Sequence, residues 1–375
     1  MSLPYKVNME LCDVAIVGGS FAGLACAQAA AQRGLRTVVL ERKSEPGAAV
    51  HTTGLLVKEA ADELGVPERV TRKISGVRLY APSLRWIDLE SPGYYFLATD
   101  TPELLRLLAC RAERAGADLR CGSEYTGARV DGERIAVNGG ALGARFLVGA
   151  DGPRSRVARD FELGTNRRFL IGVEAEYDSV RDVDPDRLHC FIDSQLAPGY
   201  IAWVIPGVST TQVGLACSQT IKPDLPEFVR RISRLFNFDS ARLVGRRGGL
   251  IPIGGRVAPV SRGGALLIGD AAGIVSPLTA GGIHTALCYG RHAGDIVSAH
   301  LLDGGPDPGA ELAALYPRFF WKKALRAAYD LHPPNWTVNA FFYSAILRET
   351  ARAVFFHHRG LFSIKAWREL LRLSA

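Results

Sequence analysis

Residues 12–41 read CDVAIVGGSFAGLACAQAAAQRGLRTVVLE, and their pattern indicates the fold of the surrounding domain. The short apolar run at 13–17 predicts a buried parallel strand. A glycine-rich turn follows it, and then a run of small residues predicts a helix that packs closely on the sheet and ends at Gly34. A second predicted strand covers 36–40. The segment therefore predicts a strand, a tight turn, a helix and a second strand.

Each part of this unit has a physical task in binding a dinucleotide. Gly18 permits the tight turn, Gly23 lets helix and strand approach closely, and the N–H groups at the start of the helix face a pyrophosphate. Glu41, at the end of the second strand, stands where an acidic side chain accepts hydrogen bonds from an adenosine ribose. The middle glycine of G-x-G-x-x-G is Ser20 here, a side chain small enough to be tolerated. The segment predicts a dinucleotide site and does not separate NAD from FAD.

Two further motifs favour one cofactor. Residues 145–158 read RFLVGADGPRSRVA, and residues 264–289 read GALLIGDAAGIVSPLTAGGIHTALCY; each is a strand that runs into a turn of small residues. The carboxylate of Asp270 can accept a hydrogen bond from a ribityl hydroxyl. Pro277 and the stretch 280–282 bring backbone N–H groups to a helix N-terminus, which stabilises the negative charge of a reduced flavin. This arrangement favours FAD, and an ordinary capped turn is the alternative.

Together, GGSFAG…E, GADGPRSRV and GDAAGIVSPLTAGGI resemble the FAD-dependent oxidoreductases of the p-hydroxybenzoate hydroxylase fold. Within that group, the run at 269–283 is most similar to the geranylgeranyl reductase family. The resemblance covers about residues 10–300 and implies that FAD runs along the three motifs. The predicted cofactor contacts are Gly18, Ser20, Phe21, Ala22, Gly23, Glu41, Arg42, Thr53, Gly54, Asp151, Asp270, Pro277, Gly281, Gly282 and Ile283.

Between the second and third motifs the chain changes to short alternating runs. Residues 168–217 predict an antiparallel sheet, and 74–89 adds strands to it. The predicted fold class is α/β, a Rossmann-like FAD-binding domain with an inserted antiparallel β-sheet substrate domain and a C-terminal helical segment. The predicted domains are an FAD-binding domain at 1–73, 95–165 and 245–304, a substrate domain at 74–94 and 166–244, and a helical region at 305–375.

An aromatic segment at 198–206 reads PGYIAWVIP. It resembles the geranylgeranyl reductase pattern of Tyr, Trp and Pro around a strand, and its end matches the W-x-W-x-I-P of flavin-dependent halogenases. Tyr200 and Trp203 are therefore candidate catalytic-site residues that would line a pocket for a long apolar or aromatic substrate. Strand alternation places them on opposite faces, so core packing of Trp203 is an equal alternative.

Residues 51–54 read HTTG and depart from the family pattern. Reductases of the geranylgeranyl type often have a Cys-Gly pair here, whereas this chain has Thr53-Gly54. If the family's cysteine takes part in reduction, that role is missing. His51 and His284 are the nearest candidate proton donors, and a structural role is the alternative for both.

The predicted enzyme is an FAD-dependent oxidoreductase that acts on a hydrophobic substrate. The first hypothesis is reduction of carbon–carbon double bonds of an isoprenoid or similar long apolar molecule by hydride transfer from flavin N5. A monooxygenase or halogenase using a C4a-(hydro)peroxyflavin is the alternative, and a non-catalytic flavin-binding protein is the third. No second glycine fingerprint follows, so the expected electron donor is transiently bound NAD(P)H or an external reductase.

Composition limits the remaining possibilities. The seven cysteines are scattered without a CxxC pair, which predicts reduced thiols and no metal site. The chain shows no signal peptide and no membrane-spanning run, so a cytoplasmic protein is expected. Residues 318–375 hold ten Lys/Arg and three Asp/Glu. This basic region predicts either a solvated helical surface or peripheral contact with an anionic membrane. Nucleic acid is not an expected partner.

Overall fold

A computed structural model describes residues 9–331 and 333–356 of the 375-residue chain. The strands are β1 (Glu10–Val17), β2 (Thr37–Glu41), β3 (Leu55–Val57), β4 (Thr71–Ile74), β5 (Gly76–Tyr80), β6 (Trp86–Glu90), β7 (Phe96–Thr99), β8 (Asp118–Cys121), β9 (Ala128–Asp131), β10 (Arg134–Val137), β11 (Leu142–Gly149), β12 (Phe169–Asp178), β13 (Arg187–Phe191), β14 (Ala202–Pro206), β15 (Thr211–Ser218), β16 (Arg242–Pro252), β17 (Ser261–Arg262) and β18 (Ala265–Leu267).

The helices are α1 (Phe21–Gln32), α2 (Lys58–Leu64), α3 (Thr101–Arg114), α4 (Arg156–Asp160), α5 (Leu225–Ile232), α6 (Ile283–Asp303), α7 (Pro308–Leu315), α8 (Phe320–Tyr329), α9 (Asn335–Phe341) and α10 (Ala345–Phe356). Within the described ranges, none of them has the length and apolar character needed to cross a membrane. The part of the basic region at 357–375 lies outside the described residues.

The chain divides into two compact units, each built from three stretches. The first unit comprises 9–50, 101–169 and 250–324, and the second comprises 51–100, 170–249 and the described residues from 325 on. These units differ from the predicted domains, which assigned 51–73 to the FAD-binding domain.

Strand pairing explains the difference in the first boundary. β3 and β4 both pair antiparallel with β7, so the stretch 51–73 joins the second unit through a small three-stranded sheet. Over its described residues, the predicted helical region 305–375 is not a separate body either. Its first part, with α7, belongs to the first unit, and α9 and α10 belong to the second.

The first unit contains an eight-stranded sheet built around the motifs. Its main order is β17-β18-β11-β1-β2-β8, and β9 and β10 extend it beside β11. The pairs β18–β11, β11–β1, β1–β2 and β2–β8 are all parallel. Parallel pairing explains why these strands read as continuous apolar runs, since both faces of such a sheet are covered. The predicted Rossmann-like α/β fold is confirmed.

Helices α1 and α6 pack against each other at very short range in the first unit. A Cβ at Gly290 would lie 2.4 Å from the Ala22 carbonyl oxygen, and one at Gly294 would lie 2.6 Å from the Cys26 carbonyl oxygen. Only glycine fits at such separations, because the backbone of α1 occupies the space of a side chain. This contact fixes the start of α6 relative to the glycine turn that precedes α1.

The second unit contains a seven-stranded sheet in the order β16-β12-β15-β14-β13-β5-β6. Pairing is antiparallel at β12–β15, β15–β14, β14–β13 and β5–β6, as predicted for the insertion, and parallel at β13–β5. Alternation along the strands gives the sheet two different faces. One face packs on α5 through Phe191, Val204, Leu215 and Phe228, and the other carries Leu79, Cys190, Trp203 and Ile205.

Candidate active site

The first motif forms a turn that closes on the second motif. Gly18 has a φ of +106°, and a Cβ there would lie 2.3 Å from the carbonyl oxygen of Ala150. A Cβ at Gly23 would lie 1.9 Å from the carbonyl oxygen of Gly18. Ser20 is the N-cap residue of α1, and its side chain makes no capping hydrogen bond. The N–H groups of the first turn of α1 are therefore left for an anionic ligand.

Glu41 lies directly beside this turn. Its Oε2 accepts a hydrogen bond from the Gly19 N–H at 2.7 Å, and its Oε1 accepts one from the Lys43 N–H at 2.9 Å. The side chain is buried, and each carboxylate oxygen keeps a second lone pair for a further donor. Phe21 and Ala22 are buried at the start of α1, and Arg42 is exposed.

The second motif places Asp151 at the start of a short helix. Its Oδ2 accepts from the N–H groups of Arg156 at 2.6 Å and Val157 at 3.1 Å, so one oxygen is committed to capping α4. The other oxygen, Oδ1, is buried without a partner among the described residues. A buried acceptor without a donor is costly, and a ligand hydroxyl or amide would relieve that cost.

The third motif is brought against the first. Gly269 has a φ of +58°, and a Cβ there would lie 2.8 Å from the Cβ of Ala22. The next residue, Asp270, points its carboxylate toward the start of α6, since a Cβ at Gly282 would lie 3.5 Å from Asp270 Oδ1. Within the described part of the chain this carboxylate has no hydrogen-bond partner. Burial raises the pKa of Asp270 from 3.8 to about 6.

The N-terminus of α6 has no side-chain cap. Gly282 is the N-cap residue and offers no side chain to the first turn, which begins at Ile283. Pro277 is buried, whereas Gly281 is exposed. The Ser276 N–H donates to the Gly281 carbonyl at 3.1 Å, which closes the loop before the helix.

Asn166 is a site residue that the sequence reasoning missed. Its Nδ2 donates to the Pro153 carbonyl at 3.1 Å and to the Asp270 carbonyl at 2.8 Å, so it ties the second motif to the third. Its Oδ1 is buried without a partner in the described ranges. No local pattern marks this residue, because the two carbonyls it joins are far apart in the chain.

In the second unit, Trp203 lies in a row of side chains across three strands. Glu174 on β12 and Trp203 on β14 are both register partners of Gly214 on β15. A Cβ at Gly214 would lie 2.6 Å from the indole Cε2, so the ring lies over the glycine. Its Nε1–H donates to Glu174 Oε2 at 2.7 Å. Trp203 is half-buried and packs beside an apolar cluster. Its position is therefore intermediate between a residue that lines a pocket and a residue of the core, the two predicted alternatives.

Thr53 reaches the same carboxylate. Its Oγ1–H donates to Glu174 Oε2 at 2.9 Å, so a hydroxyl bound to a buried acid stands where the family often has cysteine. Gly54 follows with a φ of +74°, and its carbonyl accepts from the Thr99 Oγ1–H at 2.7 Å. His51 is exposed, and its Nδ1 lies 3.0 Å from the Gly248 carbonyl. Because a carbonyl only accepts, that nitrogen carries the proton.

Tyr200 lies before β14, not on it, so the predicted strand alternation does not apply to this residue. The Tyr329 hydroxyl donates to the Tyr200 carbonyl at 3.0 Å, and the buried Arg326 donates to the Gly199 carbonyl at 2.5 Å. Burial raises the pKa of the Tyr200 phenol. Two side chains near the C-terminal end of α8, those of Arg326 and Tyr329, thus hold the backbone of the aromatic segment in the second unit. His284, the other candidate proton donor beside His51, is the second residue of α6.

The residues of the first unit fit FAD. Gly18, Gly23 and Gly269 stand where neighbouring atoms leave no room for a side chain. Glu41 has free lone pairs at the end of β2, and Asp151 and Asp270 provide further hydrogen-bond acceptors. Two helices, α1 and α6, begin at uncapped N-termini. A dinucleotide with a pyrophosphate and a second, redox-active ring system matches this set of acceptors and N–H groups. The fold and the site therefore define a flavin-binding oxidoreductase.

Comparison with known proteins identifies the family. Residues 11–302 match the family model of the FAD binding domain. The chain is 30% identical over 306 residues to a digeranylgeranylglycerophospholipid reductase of Methanopyrus kandleri, with 76% of each chain covered. This protein belongs to the FAD binding domain family and, within it, to the geranylgeranyl reductases. The predicted family, enzyme class and FAD cofactor are confirmed.

Solved structures agree on the fold. A geranylgeranyl bacteriochlorophyll reductase-like protein of Thermoplasma acidophilum superposes with a TM-score of 0.82 at 22% identity, over 97% of this chain and 96% of that one. A flavin-dependent brominase superposes with a TM-score of 0.70 at 18% identity, over 97% and 99% of the two chains. Proteins with different reactions thus share this architecture, so the fold alone does not determine which reaction the flavin performs.

Proposed function

We propose that this protein uses FAD to reduce carbon–carbon double bonds in the isoprenoid chains of a lipid. The observation that carries this proposal is the 30% identity, over 76% of both chains, to an enzyme named for reducing a digeranylgeranyl glycerophospholipid. FAD supplies the hydride chemistry when it is bound. The protein supplies binding, orientation and a controlled electrostatic environment.

The first unit would hold the cofactor. We assign the pyrophosphate to the N-terminus of α1 and the adenosine ribose to Glu41. Asp270 would accept from a ribityl hydroxyl, and the N–H groups at Gly282 and Ile283 would stabilise negative charge on the reduced ring. The remaining predicted contacts, Thr53 and Gly54 among them, stay proposals.

The electron donor is part of the proposal. We infer that electrons come from transiently bound NAD(P)H or from an external reductase, because the first unit uses its one glycine fingerprint for FAD. A stopped-flow measurement of flavin bleaching under anaerobic NADPH, compared with NADH, tests direct donation. Failure of both nucleotides to bleach the flavin would leave a donor protein as the source.

A lipid substrate brings the enzyme to a membrane surface, and exposed large apolar side chains support such contact. In the second unit Trp336 is 70% exposed, Phe341 is 64% exposed and Ile346 is 82% exposed. In the first unit Phe320 is 71% exposed. Large apolar groups at this exposure, in a region where the sequence is strongly basic, are typical of helices that lie at an anionic lipid interface.

Sedimentation with vesicles tests this contact. We expect binding to vesicles that contain anionic lipid and weaker binding to zwitterionic ones. Trp336→Ser should weaken binding severalfold, whereas Trp86→Ser is the matched control, since Trp86 is also exposed but lies on β6 with Arg78 over its ring. Equal binding by both variants and the wild type would overturn the membrane proposal.

The reaction itself is tested by product mass. The purified enzyme with reduced FAD, under anaerobic conditions, is incubated with a geranylgeranyl glycerophospholipid. We expect products that gain two hydrogens per reduced double bond. Products that form only in air and gain oxygen, or gain halogen when halide is added, would replace this proposal with the monooxygenase or halogenase alternative.

A further inference from the structure

Glu174 is a buried carboxylate that gathers three hydrogen bonds in the second unit. Its Oε2 accepts from Thr53 Oγ1–H at 2.9 Å and from Trp203 Nε1–H at 2.7 Å. Its Oε1 accepts from Arg247 Nε–H at 2.6 Å, and only 4% of the Glu174 side chain is exposed. The donors come from three different segments of the chain, so the carboxylate joins them at one point.

The sheet explains why a tryptophan can reach this acid. Strands in a sheet lie about 4.8 Å apart, so residues two strands apart are too distant for direct side-chain contact unless one side chain crosses the middle strand. Gly214 occupies the middle of the row between Glu174 and Trp203. Because it has no side chain, the indole lies across β15 and meets the carboxylate.

Charge balance explains why the acid is tolerated. A buried carboxylate is costly unless it is paired and hydrogen-bonded, and Arg247 provides the pairing charge. The same guanidinium donates through its second nitrogen to Glu176 Oε1 at 2.7 Å. Glu176 contacts neither Trp203 nor Thr53 through any hydrogen bond of the described structure.

This arrangement decides what the surface around Trp203 offers a ligand. The indole N–H and the Thr53 hydroxyl proton both point into Glu174, so neither is available to a substrate. The half-buried indole can offer its ring surface, and Thr53 can offer lone pairs. Such a surface suits an uncharged hydrocarbon chain and provides no donor to a phenolate, a carboxylate or a phosphate.

We propose that Glu174 is a positioning residue that sets the substrate preference, because it fixes the indole of Trp203 and withdraws the donors of Trp203 and Thr53 from the substrate. This inference rests on the proposed function, since it assigns the surface to an isoprenoid chain. Glu174 acts through Trp203 and Thr53 and does not itself touch the substrate.

The test compares Glu174→Leu with Glu176→Leu. Both variants remove one carboxylate partner of Arg247, but only the first removes the acceptor of Trp203 and Thr53, because both of these donors bind the Glu174 carboxylate. Binding of geranylgeraniol is measured by isothermal titration calorimetry and compared with KM and kcat for the geranylgeranyl lipid. We expect Glu174→Leu to raise Kd and KM about tenfold, with flavin content unchanged, and Glu176→Leu to stay within about twofold.

A double-mutant cycle separates positioning from general destabilisation. Trp203→Phe keeps an aromatic ring but lacks the N–H, so it breaks the same hydrogen bond from the other side. The Glu174→Leu/Trp203→Phe double variant should bind geranylgeraniol about as weakly as the worse single variant, because both changes remove one shared interaction.

The outcomes distinguish this inference from the proposed function. If the wild type neither binds geranylgeraniol nor reduces the lipid, the proposed function fails. If the wild type does both and Glu174→Leu matches Glu176→Leu, the positioning role of Glu174 is wrong. Independent, additive losses in the cycle would also overturn it. A parallel thermal melt identifies any variant whose weak binding comes from unfolding.

Discussion

The side-chain amide of Asn166 donates to the backbone carbonyl of Asp270 at 2.8 Å, and through a second hydrogen bond to Pro153 it joins two motifs that are more than one hundred residues apart. The acid that the sequence singles out for the flavin is thus held by a residue that it does not single out. The position of Asp270 depends on this bridge as well as on its own strand.

Removal of the bridge should weaken the cofactor site. Asn166→Ala loses both hydrogen bonds and frees the turn at Asp270, so we expect FAD to bind about tenfold more weakly. Asn138→Ala is the matched control, because the Asn138 side chain also joins backbone groups outside the three motifs. It accepts a hydrogen bond from the Thr126 N–H and donates one to the Glu124 carbonyl. Fluorescence titration of the apoprotein with FAD measures both. Equal affinities would show that Asn166 has no role in the site.

FAD affinity should depend on pH through Asp270. Burial raises the pKa of this carboxyl to about 6, so the folded apoprotein holds the proton longer than the unfolded chain does. The proton on Asp270 therefore contributes fully to the free energy of unfolding below about pH 3.8, and this contribution is lost as the pH rises through about 6. The ionised form is the better acceptor for a ribityl hydroxyl.

The sign for binding is the opposite of the sign for stability. From pH 5 to pH 7, FAD should bind about tenfold more tightly as Asp270 ionises. In Asp270→Asn this rise should disappear, and the overall affinity should be lower. Titrations at several pH values check both, and a wild-type affinity that stays flat or falls over this range would contradict the assignment of Asp270 to the ribityl chain.

Two glycines with positive φ provide a test of the first turn. Gly18→Ala would place a Cβ 2.3 Å from the Ala150 carbonyl oxygen, whereas Gly34→Ala meets nothing within 4 Å. Both substitutions cost about 1 kcal/mol for the left-handed backbone, and only the first also forces the two motifs apart. We expect Gly18→Ala to lose FAD on gel filtration and Gly34→Ala to retain it. Retention by both would mean that the turn tolerates a side chain.

The glycine under Trp203 gives a prediction for the second unit. Gly214→Ala would place a Cβ 2.6 Å from the indole, so the ring must leave the surface of β15 and its bond to Glu174. We expect the KM for the isoprenoid lipid to rise about tenfold while FAD remains bound. In a Trp203→Ala background the same change should have no further effect on KM. An additional loss there would place the role of Gly214 in the backbone of the strand.

Departures from local patterns are informative in this protein. The sequence shows Thr53 where the family often has cysteine, and the structure adds its hydrogen-bond partner, Glu174, which lies far away in the chain. The sequence pattern predicts that Tyr200 lies on a strand, but β14 begins two residues later, since a turn that includes Pro198 and Gly199 precedes it. Local propensity determines where such runs lie, and their contacts come from other strands.

The parallel core, the glycine turns, the FAD cofactor and the family can be predicted from the sequence. These features depend on three short motifs, at 12–41, 145–158 and 264–289, in each of which a buried strand runs into a tight turn. The hydrogen bond from Asn166 to Asp270, and the row that Glu174, Gly214 and Trp203 form across three strands, are visible only in the tertiary structure. Strand order and register bring this row together, and local sequence patterns do not specify which distant strands become neighbours.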